Sequence, residues 1–364
     1  MKKVFYIVFL IVLFLPLLGQ LINWPVIIKL HGYTGKEEKA PILGIESILN
    51  REWQDSIEDY INSSTRVRPS FVRFKNFFDY ELFDLLHVKS VFRGKDNYLF
   101  YGTKWYLEGG DNVGIEKINK NVARLKEVQE NLMKEGKELL FVIAPEKIFV
   151  YSEFLPNHMT LKKGGRFMYN NYKILFKENN INHIDFNEWF LQQKGINEYE
   201  MFARGGKHWT HYYAIQALDS IGDKLRKNGL SIPDFISLEP KQLEYPRAED
   251  IDTWEAANLP FLLEKGKFAK PVYELSKEEK PKIIFCSDSY INTLAWSSIL
   301  REIYNNKSQY WYYNKEMYDF NLNMKGAPSQ DEFNKIEEDI EVYVIITSVG
   351  NIAMFDYGFL NYFE

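Results

Sequence analysis

Cysteine is almost absent. Cys286 is the only one in 364 residues, which excludes an internal disulfide and a zinc site built on cysteines. It ends an apolar run and reads as a small buried hydrophobe, not a nucleophile. Histidine is scarce too. The six are His31, His87, His158, His183, His208 and His211, so there are few candidates for a general base. Positive charge is not in excess: 45 Lys and Arg stand against 50 Asp and Glu, a net charge of −5. With no basic stripe, nucleic acid is excluded as the main partner. No internal repeat and no low-complexity tract is visible, and no second long apolar run follows the first.

Aromatic residues are abundant: 24 Tyr, 27 Phe and 8 Trp. Most belong to a thick core, and some can stack on sugar rings. Met1-Lys2-Lys3 precede Val4–Leu18, which is apolar throughout with one proline, Pro16. Reading on to Trp24 gives about 20 residues, enough for a span. The two lysines keep the start cytoplasmic, and no small-x-small cleavage site follows. Residues 1–24 therefore read as a signal anchor with the rest outside the cytoplasm; a cleaved signal peptide is the alternative. Residues 25–90 read as a linker and two helices, Ile45–Ser63 and Arg66–Leu86, by apolar spacing.

From residue 91 the pattern alternates. Val91–Tyr101 reads as strand, turn, strand. A helix Ile115–Gly136, a buried strand Leu139–Ala144, a helix Gly164–Glu178, a strand Ile181–Phe186 and a helix from His211 to Asn228 follow. Residues 229–280 read as loop, with Pro233, Pro240, Pro246, Pro260 and Pro271. Strand Ile283–Phe285, helix Ile291–Ile303 and strand Val342–Ile346 close the series. Strands alternating with helices require a parallel sheet covered on both faces, here as one α/β domain over residues 91–364.

The stretch Cys286-Ser287-Asp288-Ser289-Tyr290 leaves an apolar strand and enters a helix. A serine there sits at the rim of an α/β sheet, where its hydroxyl can face a crevice. Small polar residues after a strand commonly serve only as helix caps. A second stretch, Gly205-Gly206-Lys207-His208-Trp209-Thr210, supplies a histidine in a sharp glycine turn. His208 and His211 form a His-x-x-His pair, but no third metal ligand lies at standard spacing. With Thr210 as the helix cap the two also do not share a face, so no metal is expected.

Taken together these motifs resemble the SGNH-hydrolase-like domain of the alginate O-acetyltransferase AlgX/AlgJ group. Gly94-Lys95-Asp96-Asn97-Tyr98-Leu99-Phe100 is similar to the group's Gly-Lys-Asp-Gly-Trp-Leu-Phe segment. Ala144-Pro145-Glu146-Lys147 with Tyr151 and Leu155-Pro156 is similar to its Pro-x-Lys segment. His208-Trp209-Thr210 and Ser287-Asp288-Ser289-Tyr290 resemble its His-Trp-Ser/Thr and Gly-Asp-Ser-Phe motifs, in the group's order, and Trp311-Tyr312-Tyr313-Asn314 shares its look.

The resemblance implies an SGNH-like parallel sheet, with Ser289 as the residue that carries the acetyl group and His208 as its base. It implies a polysaccharide substrate, no cofactor, and a multi-pass membrane acyltransferase as acetyl donor. The expected location is the periplasm or cell exterior, anchored by the N-terminal segment. An esterase, or a non-catalytic glycan-binding scaffold, is the alternative. Two positions depart from the pattern. The group's orienting aspartate falls at Gly206, and the glycine of its nucleophile turn at Ser287. Asp250 and Asp252 are candidates for the missing acid, while Asp288 neighbours the serine and reads as ordering its turn. Asn314, Asn351 or an amide of the Gly205-Gly206 turn could serve an oxyanion hole beside the Ser289 N–H. Trp209, Tyr290, Trp311 and Asn314 are the candidates for contact with a sugar.

Overall fold

Three short runs made almost wholly of apolar residues decide the architecture: ELLFVIA, IIFCS and VYVIITS. Strands this apolar have no polar face to offer water, so they pair in parallel under cover on both sides. A computed structural model of the chain describes residues 2–22, 29–31, 39–42, 52–102, 112–159, 167–260, 265–276 and 280–363. Residues 23–24 of the expected anchor, residues 32–38 of the linker, residues 45–51 of the helix from Ile45, and residues 164–166 lie outside the described residues.

The described strands are β1 (Val91–Arg93), β2 (Leu99–Tyr101), β3 (Glu138–Ala144), β4 (His183–Asp185), β5 (Phe235–Leu243), β6 (Phe268–Leu275), β7 (Ile283–Ser287), β8 (Gln309–Tyr312), β9 (Glu316–Asp319), β10 (Met324–Gly326) and β11 (Val342–Ser348). Seven of them form one sheet in the order β10-β9-β8-β7-β11-β3-β4. The run β8-β7-β11-β3-β4 is parallel, and β9 and β10 add an antiparallel edge. Every residue of β7 and β11 is buried, so both faces are covered. The fold is mixed α/β with a mostly parallel sheet.

The chain divides into two compact units. One is residues 1–89 with 253–262, the other residues 90–252 with 263–364. In the first, helix Lys2–Leu21 leaves its apolar residues Val4–Phe14 exposed. Among the described residues no helix is long and apolar enough to cross a membrane. Helices Glu52–Ser64 and Arg68–Phe83 follow. The second of these is inverted relative to a soluble helix. It buries Arg73, Asn76 and Tyr80 and exposes Phe71, Phe74, Phe78 and Leu82. Two of its polar side chains bond inside: Arg73 donates to the Leu259 carbonyl at 2.6 Å and the Lys29 carbonyl at 2.7 Å, and Asn76 to the Ala257 carbonyl at 2.9 Å.

Two expectations need correction. Residues 229–280 are not merely loop, since β5 and β6 pair as an antiparallel hairpin outside the main sheet. The prolines hid it. Pro240 falls at a register shift between Leu238 and Lys241, where a missing N–H does no harm. The helix Ile291–Ile303 is two, Ile291–Ala295 and Ile299–Ile303, broken where Ser298 takes a left-handed φ of 66°. The stretch Trp311 to Asn314 is β8 and its turn. Tyr313 and Asn314 both have left-handed φ, 51° and 54°, in the three-residue hairpin connection into β9.

Candidate active site

Ser289 and His208 meet at the carboxyl ends of the parallel strands, where a doubly covered sheet opens into a crevice. β7 ends at Ser287, and the chain turns at once. Asp288 makes that turn. It is fully buried, and its carboxylate accepts from the amides of Tyr290 (3.1 Å) and Ser348 (2.9 Å), from Asn351 Nδ2 (2.9 Å) and from the Tyr357 hydroxyl (3.2 Å). Asp288 therefore ties the serine turn to the end of β11. It makes no hydrogen bond to the imidazole, and its bonds go to the serine turn and the end of β11, the ordering place read for it from the sequence.

The imidazole sits between two partners. His208 Nε2 lies 2.7 Å from Ser289 Oγ, and Nδ1 lies 2.5 Å from Asp252 Oδ2. With Nδ1–H facing a carboxylate, Nε2 keeps its lone pair and can accept the serine hydroxyl proton. The other Asp252 oxygen accepts the Lys207 amide at 2.7 Å. Burial pushes the Asp252 carboxyl up, but His208 beside it, the Lys207 amide and the Lys207 charge outweigh that. They hold it below the usual carboxylate range. The His208 side chain is 14% exposed and that of Asp252 29%, so the group is sheltered but reachable.

The acid thus comes from residue 252 instead of 206, and the backbone shows why the two positions exclude each other. A Cβ on Gly206 would lie 2.0 Å from the Asp250 carbonyl oxygen. Only glycine lets the 248–252 segment pass this close. Asp250 pins that segment. Its buried carboxylate accepts the His211 amide at 2.8 Å and the Arg247 amide at 3.1 Å, joining the short turn Ala248–Ile251 to the start of helix His211–Lys227. Burial raises the Asp250 carboxyl to about 6. Of the two candidate acids, Asp250 is a cap and Asp252 reaches the imidazole.

The proposed sugar contacts do not hold. Trp209 and Tyr290 are fully buried, ring against ring at 5.2 Å. Tyr290 backs the imidazole edge-on at 4.8 Å and donates its hydroxyl to the Pro145 carbonyl. Both support His208 from behind. Trp311 is a buried residue of β8, and Asn314 donates to the Tyr357 carbonyl at 3.2 Å from its hairpin turn. Asn351 is engaged by Asp288, and the Gly206 amide donates to the Ala203 carbonyl at 3.1 Å. That leaves the Ser289 and Gly205 amides, neither of which makes a hydrogen bond among the described residues.

Two groups beside the site had no role assigned from sequence. Glu146 follows β3 and is 3% exposed. Burial pushes its carboxyl up to about 7, against the opposing pull of Lys207 and the Gly350 amide. Burial disfavours the Lys207 charge, yet Glu146, Asp288, Tyr313 and Asp252 around it raise its pKa. Only the unusual length of apolar sequence ahead of Pro145-Glu146-Lys147 signalled that charges there would be enclosed.

Residues 91–262 match the family described as SGNH hydrolase-like domain, acetyltransferase AlgX. The matched span includes His208 and Asp252, and Ser289 lies beyond it. Among solved structures, the chain is similar to the O-acetyltransferase domain of Pseudomonas putida AlgJ, at 16% identity and a TM-score of 0.48, over 73% of this chain and 93% of that one. It is also similar to Pseudomonas aeruginosa AlgX at 14% identity and a TM-score of 0.46, over 75% and 67% of the two chains. Bacillus cereus PatB1 shares 10% identity at a TM-score of 0.43, over 72% and 96%. None of the curated proteins matches the chain.

Two outcomes follow. Gly206→Asp restores the family's aspartate but drives its Cβ into the Asp250 carbonyl, so Asp252 is displaced. Fluorophosphonate labelling of Ser289 should fall about a hundredfold, as for a misplaced catalytic group; unchanged or faster labelling contradicts the geometry. Glu146→Gln tests the buried carboxyl. A folded-state value of about 7 against 4.5 means wild-type stability is full below about pH 4.5 and is lost as pH rises to about 7. In urea unfolding the variant should match wild type at pH 4 and exceed it by up to about 3 kcal/mol at pH 8.

Proposed function

We propose that the chain moves an acetyl group through an ester on Ser289 to a hydroxyl of a polysaccharide. One observation carries the reading: the imidazole of His208 bridges Ser289 Oγ at 2.7 Å and the Asp252 carboxylate at 2.5 Å. Ser289 Oγ attacks the acetyl carbonyl carbon of a donor ester while His208 Nε2 takes the hydroxyl proton. The tetrahedral oxyanion is met by the Ser289 N–H. On collapse the donor oxygen leaves with the proton from Nε2, and acetyl remains on Ser289. A sugar hydroxyl then attacks, gives its proton to Nε2, and Ser289 departs and recovers it. Asp252 stays ionised throughout and stabilises the imidazolium in both halves.

The match to an acetyltransferase family over residues 91–262 supports transfer to a sugar over transfer to water. The reading sets the domain outside the cytoplasm, behind Lys2 and Lys3 and the exposed apolar side chains Val4–Phe14. A membrane-embedded acyltransferase then supplies the acetyl group, because cytoplasmic donors do not reach that side. No cofactor takes part in these steps.

The test is the full chain with 4-nitrophenyl acetate, beside Ser289→Ala and His208→Ala. The wild type should release a burst of nitrophenolate and gain one acetyl group on Ser289 by mass spectrometry. Each variant should lose the burst by at least about a thousandfold. Wild-type protein that stays unacetylated, or variants that react like it, would overturn the reading.

A further inference from the structure

Lys147 has no part in the chemistry above, yet it is one of the most enclosed charges in the molecule, 2% exposed. It opens the short helix Lys147–Val150 just past β3, at the same end of the sheet as Ser289. Its ammonium, with three N–H donors, lies within hydrogen-bond distance of four backbone carbonyls: Leu99 at 2.9 Å, and Ala203, Arg204 and Gly206 at 2.7 Å each. The rings of Tyr98 and Phe100 lie 5.3 and 5.6 Å from it.

We propose that Lys147 is the positioning residue for His208: its caged ammonium holds the 203–206 turn in the one path that aims the imidazole between Ser289 and Asp252. Three of the four carbonyls belong to that turn, and Gly206 stands two residues before His208. The Gly205-Gly206 pair has no side chains with which to fix itself and many backbone conformations to choose from. The turn must therefore be held from outside. The Leu99 amide adds a second tie, to the Arg204 carbonyl at 2.8 Å, but it reaches only one residue. A buried ammonium without partners is strongly disfavoured, and so are buried carbonyls without donors. The cation and the turn therefore order each other, and the path they settle on is the one that leaves space at Gly206 for the Asp250 carbonyl.

The test uses the full chain with Lys147→Met, which keeps length and removes charge. Lys147→Gln serves where the methionine variant does not fold. Lys137→Met is the control, since Lys137 donates to the Glu337 carbonyl at 2.8 Å at the opposite end of β3. The first readout is proton NMR of the His208 Nδ1–H, strongly deshielded where it faces Asp252. Wild type and Lys137→Met should keep that line, and Lys147→Met should lose or shift it while still unfolding cooperatively. The second is the acetylation rate of Ser289, which should fall about a hundredfold with the ester KM unchanged. A folded Lys147 variant that keeps both line and rate overturns the inference, as does loss of the line in Lys137→Met. The second readout rests on the proposed acetyl transfer. A wild type with the deshielded line but no acetyl-enzyme overturns that function and leaves the positioning role standing.

Discussion

An imidazole can take a serine proton only while something holds its other nitrogen, and in this chain that hold comes from 44 residues away in sequence. Asp252 reaches Nδ1 of His208 because the backbone before it can cross Gly206 at a distance no side chain allows. Much of the surrounding structure follows from this crossing. Asp250 caps helix His211–Lys227 and so fixes the level of the acidic segment. Trp209 and Tyr290 fill the space behind the ring. The catalytic-looking triad is therefore one outcome of a packing arrangement, not three independent placements.

Burial sharpens the electrostatics of the same region. Three carboxylates and one ammonium lie close together, and each is handled differently. Asp288 takes four hydrogen bonds and shapes the serine turn. Asp252 is held in its charged form by the imidazole and by Lys207. Glu146, with less help, is pushed toward neutrality. This spread is the expected result when like charges share a poorly solvated space: the one with fewest donors gives up its charge first. Only the Asp252 carboxylate faces the proton-transfer line.

Much of this was legible in the residues themselves. Ile283–Cys286 and Val342–Ile346 read as buried strands because a run of that length without a polar residue has few alternatives. Ser289 and His208 stood out because their neighbours, Asp288 before one and Gly205-Gly206 before the other, make turns that no regular element needs. Other features stayed hidden for physical reasons. The hairpin of β5 and β6 carries Pro240 and Pro271, which ordinarily speak against a strand. Trp311 and Asn314 looked like ligand contacts, yet one packs inside β8 and the other only satisfies a left-handed turn. The choice between Asp250 and Asp252 could not be read from spacing. It depends on which carboxylate the local turn points inward, and that is set by the amides of Arg247 and His211.

The most direct test of this account is the rate of Ser289 acetylation in Asp252→Asn, followed as the nitrophenolate burst at neutral pH. An asparagine keeps the shape but no longer holds the imidazole as its carboxylate does. The rate should fall by about four orders of magnitude, as in other serine–histidine–acid groups, with the protein still folded. A variant that acetylates Ser289 at the wild-type rate would contradict the claim that Asp252 replaces the acid missing at Gly206.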